Sequence, residues 1–138
     1  MSYIFVGLGN PGEEYRETRH NTGRILLEIF GKVYDAEWKF DKKLNSTVTK
    51  VKVGKTPVTL VLPETFMNNS GKSLKALFPL GLASGKASEK LLVIYDDLDL
   101  PFGTNKISFN KSSGGHRGLE SIIKSIKTEK FARIRIGI

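Results

Sequence analysis

Three glycines in the segment Gly7-Leu8-Gly9-Asn10-Pro11-Gly12 follow directly on an apolar run, Tyr3-Ile4-Phe5-Val6. A short apolar run closed by a glycine-rich turn reads as a buried strand. Beyond the turn, Leu26, Ile29, Phe30 and Val33 recur at the spacing of one helix face. Strand, glycine turn and helix in that order open an α/β unit, and open α/β sheets gather their ligand sites at the carboxyl edge of the strands. The polar side chains delivered there are Asn10, Arg19, His20 and Asn21.

Gly7, Gly9 and Gly12 fit the G-x-G-x-x-G dinucleotide fingerprint. In that motif the helix opens at the third glycine, so that its free amides meet a pyrophosphate. Here Glu13 and Glu14 follow, and the helical pattern settles only after His20. Two carboxylates would repel the phosphates, so dinucleotide binding is set aside. Gly71-Lys72-Ser73 echoes the end of a P-loop, but Phe66 stands where its first glycine belongs.

The remaining pattern alternates strands and helices. Thr47 to Val53 alternates as a half-buried strand, Gly54-Lys55-Thr56-Pro57 turns the chain, and Val58 to Leu62 returns beside it. Pro63 ends that strand. After a polar junction, a helix carries Leu74, Leu77 and Phe78 inward, and Ser84 to Lys90 is a polar loop. Leu91 to Tyr95 is continuously apolar, as a strand covered on both faces must be. Thr104 to Phe109 reads as a strand, and Ser112 to Gly118 as a flexible loop. Leu119, Ile122, Ile123 and Ile126 make a helix face, and Ile134, Ile136 and Ile138 alternate with Arg133, Arg135 and Gly137 as a last strand. The expected fold is an α/β single-domain sandwich of three layers over residues 1–138, with a mixed, centrally parallel sheet.

The chain of 138 residues has no cysteine, which removes thiol nucleophiles, disulfides and zinc–thiolate sites. No apolar run approaches membrane-spanning length, so a cytoplasmic protein is expected. The net charge of +8 favours a polyanionic partner. Between Lys106 and Arg135 eight cations (Lys106, Lys111, Arg117, Lys124, Lys127, Lys130, Arg133 and Arg135) face only Glu120 and Glu129. Such clustering is the footprint of phosphate contact, although Lys124 and Lys127 suit a solvated helix face better.

His20 and Asp96 both follow strands aimed at the same sheet edge. A carboxylate on one imidazole nitrogen fixes the tautomer and leaves the other free to take a proton from water. Asn10 and Asn68 are short amides suited to hold a carbonyl or a water. A histidine at a helix start also serves as a cap, and Asp97 and Asp99 read as loop carboxylates. His116 reads as a substrate contact or a loop hydrogen bond. No G-x-S-x-G elbow offers a serine nucleophile, and no ligand spacing suggests a metal.

Taken together, Val6 to Gly23, Pro63 to Gly71, Asp96 to Pro101, the Ser113-Gly114-Gly115-His116 loop and Arg133 to Gly137 resemble the blocks of bacterial-type peptidyl-tRNA hydrolases, in the family's order. The resemblance implies a cofactor-free, monomeric esterase that frees tRNA from a peptide. His20 would be the base, Asp96 its orienting partner, and Asn10 and Asn68 the holders of carbonyl and water. It places Tyr15, Asn21, Phe66 and Met67 along the peptide and terminal-adenosine cleft, with His116 and Arg117 as further substrate contacts. Lys106, Lys111, Arg133 and Arg135 would meet acceptor-stem phosphates of the tRNA.

Two departures stand out. Arg117 occupies the place where the family commonly has asparagine, and arginine cannot accept a hydrogen bond. The sequence also stops at Ile138, where family members continue into C-terminal helices. A shortened chain would then leave an apolar sheet face open. A non-catalytic RNA-binding relative is the alternative that these departures favour.

Overall fold

Each parallel strand of this protein ends at the same edge, and that edge is where its polar loops converge. The structure is a computed structural model that describes residues 3–77, 90–109 and 111–138. Its strands are β1 (Tyr3–Gly7), β2 (Lys39–Asp41), β3 (Ser46–Val53), β4 (Thr56–Pro63), β5 (Leu91–Asp97), β6 (Asn105–Phe109) and β7 (Ala132–Gly137). The helices are α1 (Thr22–Val33), α2 (Gly71–Leu77) and α3 (Arg117–Ile126). Among the described residues the strands form one sheet in the order β2-β3-β4-β1-β5-β7-β6. β4, β1, β5 and β7 run parallel, while β2, β3 and β6 add antiparallel edges. The expected mixed, centrally parallel sheet is present.

Alternation along the central strands divides the core in two. Val6, Val61, Leu91, Val93 and Tyr95 pack with Leu74 of α2 and Leu119, Ile122 and Ile126 of α3. Leu60, Leu62 and Ile94 point the other way and meet Leu27 of α1. Helices therefore cover both sheet faces, in three layers.

Of the predicted stripe, α1 presents only Phe30 to the sheet, against Phe5 and the cluster around Leu27. Gly23, Leu27 and Gly31 are its buried residues, whereas Leu26, Ile29 and Val33 are exposed. The reason is steric. Gly23 lies against the carbonyl of Ile94, where a Cβ would collide with backbone. Gly23 lets the helix approach the sheet, Gly31 makes room for the Trp38 ring, and Leu26, Ile29 and Val33 are turned outward.

Other departures are local. The β3–β4 turn is shorter than expected, with Thr56 and Pro57 already in β4 and paired to Val53 and Lys52. β2 has no apolar signal beyond Phe40. In β7 the expected alternation is reversed, because Arg133 and Arg135 are buried while Ile134 and Ile136 are only partly so. The Leu74 face of α2 is buried as expected. Phe78 and the Ser84 to Glu89 part of the polar loop lie outside the described residues, as does the side chain of Leu77.

Candidate active site

The glycine turn after β1 brings Asn10 to the carboxyl edge, a 3₁₀ turn over Arg19–Asn21 brings His20, and the end of β5 brings Asp96. A fourth group arrives from across the sheet, since His116 is the N-cap of α3. These side chains line a cleft of about 620 Å³, together with Met67, Tyr95, Lys111, Arg117 and Arg135.

Asp96 is 2 % exposed and carries one histidine on each oxygen. Its Oδ2 lies 2.5 Å from Nδ1 of His20, and its Oδ1 2.8 Å from Nε2 of His116. The tautomer of His116 follows from its other nitrogen. The Leu119 amide donates to His116 Nδ1 at 3.2 Å, so Nδ1 is the acceptor and the ring proton sits on Nε2, donated to Asp96. Burial alone pushes the Asp96 carboxyl up. The hydrogen bond and attraction of His116, followed by the attraction of His20, more than offset it and hold the group below the usual carboxylate range. An ionised Asp96 only accepts, so His20 donates from Nδ1 and presents the lone pair of Nε2 to the cleft. The His20 side chain is 62 % exposed, open to water and substrate.

Asn10 is oriented as strictly. The Met67 amide donates to its Oδ1 at 2.6 Å, which leaves the side-chain NH₂ of Asn10 as a donor toward the cleft. Its backbone is clamped by Asn21, whose Oδ1 accepts from Asn10 N at 2.8 Å and whose Nδ2 donates to Asn10 O at 2.9 Å. Asn21 is thus a buried clamp with both ends of its amide spent, not the cleft-lining contact that was expected.

The other expected site residues divide in three. Met67 lines the cleft, and Tyr15 packs edge-on against Phe66 with ring centroids 6.1 Å apart. Lys111, Arg117 and His116 are in the cleft wall, and Lys106 is exposed on β6. Asn68 is not brought to His20. It is exposed in a neighbouring groove with Lys72 and Lys124, which Arg117 also borders. Arg135 lines the cleft but is paired with Asp97 at 3.0 Å and donates to Ser108 Oγ. Arg133 is fully buried, with its guanidinium on the carbonyls of Ser112 and Glu129 and over the ring of Phe131. It has no surface to offer a phosphate, which corrects the expectation for that residue.

Two contributors carry no sequence signal. Arg24 of α1 donates to Pro63 O and pairs with Glu64 at 2.9 Å, tying the start of the Phe66–Met67 loop to the helix. Tyr95 lies against the His116 ring at 4.9 Å between centroids.

His20, Asp96 and His116 offer three ligand-type atoms within 4.8 Å of one another. A cation there would need the lone pair of His116 Nε2, which would put the ring proton on Nδ1 against the Leu119 amide. The set suits a hydrogen-bonded relay, not a metal. Chemically it provides a fixed imidazole base, an amide donor and an open cleft, which is what attack of water on a carbonyl requires. No helix among the described residues is long and apolar enough to cross a membrane.

Comparison with known proteins agrees in sequence and in fold. Residues 4–138 match the family described as peptidyl-tRNA hydrolase. Peptidyl-tRNA hydrolase of Prochlorococcus marinus (strain MIT 9515) is 47 % identical over 137 residues, covering 98 % of this chain and 66 % of that one. That of Aquifex aeolicus (strain VF5) is 48 % identical over 136 residues, covering 98 % and 68 %. The crystal structure of peptidyl-tRNA hydrolase from Acinetobacter baumannii superposes with a TM-score of 0.88 at 34 % identity, covering 99 % of this chain and 67 % of that one. The chain spans about two thirds of the length of the curated relatives it matches. With a family match over residues 4–138, this level of identity and this likeness of fold, the chain belongs to the peptidyl-tRNA hydrolase family.

Proposed function

We propose that this protein hydrolyses the ester between a peptide and the 3′ end of tRNA, with His20 as the general base. The observation that carries the reading is the His20–Asp96 pair, which directs an Nε2 with no partner among the described residues into the cleft. Water held by Nε2 gives up a proton as its oxygen attacks the ester carbonyl. The carbonyl oxygen, becoming negative, is met by the NH₂ of Asn10. Asp96 stabilises the imidazolium that forms, and His116 holds Asp96 in place. When the tetrahedral intermediate collapses, the 3′-oxygen of the tRNA leaves and takes up the proton held on His20 Nε2, which restores the base. No cofactor enters this scheme. Lys106 and Lys111 support recognition of tRNA phosphates, since both are exposed and neither has a carboxylate partner among the described residues.

The test is release of free tRNA from peptidyl-tRNA by the parent and by His20→Ala. Cleavage by the parent that vanishes in the variant is expected. A folded parent that binds tRNA without cleaving would overturn the enzyme reading in favour of an RNA-binding relative.

A further inference from the structure

We propose that Arg133 is a positioning residue for the reaction, fixing the loop that carries His116 and thereby the carboxylate that orients His20. This inference rests on the reading of the cleft as a hydrolase site. The segment from Ser112 to His116 is largely exposed and contains Gly114 and Gly115, both at positive φ, so its own backbone gives it little stiffness. Local bonds close the turn, from His116 N to Ser113 O and from Gly115 N to Ser113 Oγ, but they do not attach it to the sheet.

Arg133 makes that attachment. Its Nη1 donates to Ser112 O at 3.2 Å, at the base of the loop, and its Nη2 donates to Glu129 O at 2.7 Å. The guanidinium stacks on Phe131 at 4.4 Å, inside the core. Its charge also acts on the Tyr95 phenol group, and the Tyr95 ring packs edge-on against the His116 imidazole. One buried cation therefore holds the loop that delivers His116 and neighbours the ring that backs it. Burial pushes the Arg133 guanidinium down, and the Tyr95 interaction pushes it up.

Nothing on the site-facing side of Arg133 is available to substrate, since the residue has no exposed surface. Its effect on chemistry is transmitted through His116 and Asp96. A loop displaced by about 1 Å costs on the order of 10²-fold in rate when it misplaces a catalytic group.

The experiment combines kinetics with nitrogen NMR of the histidine rings in Arg133→Met, Arg133→Lys and Tyr95→Phe. The last variant keeps the ring on His116 and removes only the hydroxyl that meets Arg133, so it remains informative if Arg133→Met does not fold. The expected result is a kcat lowered about ten- to a hundred-fold with KM within about two-fold, partly restored by lysine. The His116 ring nitrogens should move from a single Nε2–H tautomer toward averaged shifts. Folded variants with parental kcat and an unchanged His116 spectrum would overturn the proposal. So would a raised KM with kcat intact, which would mark Arg133 as a substrate contact. A parent that cleaves nothing would sink the hydrolase reading alone, because the His116 spectra still report whether Arg133 fixes the loop.

Discussion

His116 caps α3 with one ring nitrogen and holds Asp96 with the other, at 3.2 Å and 2.8 Å respectively. The two bonds are not independent. The cap demands an acceptor at Nδ1, and this leaves Nε2 as the donor that Asp96 needs. The helix start thus sets the protonation state of a residue at the centre of the cleft, and Asp96 in turn sets that of His20.

Asp96→Asn is the sharpest test of this chain. His116 would still donate to the oxygen of the new amide, so the NH₂ would face His20 Nδ1 and force it to accept. The His20 proton would then move to Nε2, and the base would be lost with the fold intact. A kcat reduced by about 10³- to 10⁴-fold with little change in melting temperature is expected. A reduction below ten-fold would show that Asp96 does not control the His20 tautomer.

His116→Ala separates stability from charge. Loss of the cap and of the Asp96 partner should destabilise the protein by about 1–3 kcal/mol. The pH dependence should change as well. Asp96 has a depressed pKa in the folded protein, so between that value and the unfolded value of about 3.9 the unfolded chain binds more protons, and stability falls as pH falls. Above the unfolded value the contribution is complete. Removing His116 takes away the strongest influence that lowers this pKa, so the acid limb of a melting-temperature profile should move to higher pH. An unmoved limb would mean that His116 is not what keeps Asp96 ionised.

How much of this was legible differs residue by residue. β1, β4 and β5 could be read because strands covered on both faces are nearly continuous in apolar residues, and β1 and β4 end sharply at Gly7 and Pro63. His20 and Asp96 could be paired because the loop after β1 and the end of β5 meet at one edge of the sheet. The role of His116 could not be read, since it depends on α3 packing its first turn beneath β5. Arg133 and Arg135 looked like surface cations because charge usually means exposure. Their partners are the carbonyls of Ser112 and Glu129 in one case and Asp97 in the other, and no spacing rule connects those positions. Most of the α1 face was misread for a similar reason, because glycine carries no hydrophobic signal although Gly23 meets the Ile94 carbonyl and Gly31 the Trp38 ring.

Asn10 and Asn21 should respond differently to small changes. Asn10→Asp keeps the oxygen that accepts from Met67 but replaces the donor facing the cleft with an anion. It should lower kcat by about 10²- to 10³-fold with a near-parental melting temperature. Asn21→Ala leaves the Asn10 backbone unpaired and should cost about 1–3 kcal/mol in denaturant unfolding, with kcat lowered as a consequence. Parental stability in the Asn21 variant would contradict its place as the clamp.

The basic surface can be apportioned by salt. Each phosphate contact contributes roughly 0.7–0.9 to the slope of log affinity against log salt concentration. Lys106→Ala and Lys111→Ala, each exposed, should both flatten that slope for tRNA by about this amount while weakening binding at low salt. Arg133→Met should leave the slope as it is in the parent, because a guanidinium with no exposed surface releases no counterion when RNA binds. Arg135 stands between these cases, lining the cleft while paired with Asp97 at 3.0 Å. If Arg135→Met flattens the slope, RNA draws the side chain away from Asp97; if it does not, the pair persists in the complex and Arg135 serves the sheet. Titration of tRNA at four or five salt concentrations across the set resolves the three positions, and a flattened slope for Arg133→Met would reinstate the surface contact that its burial argues against.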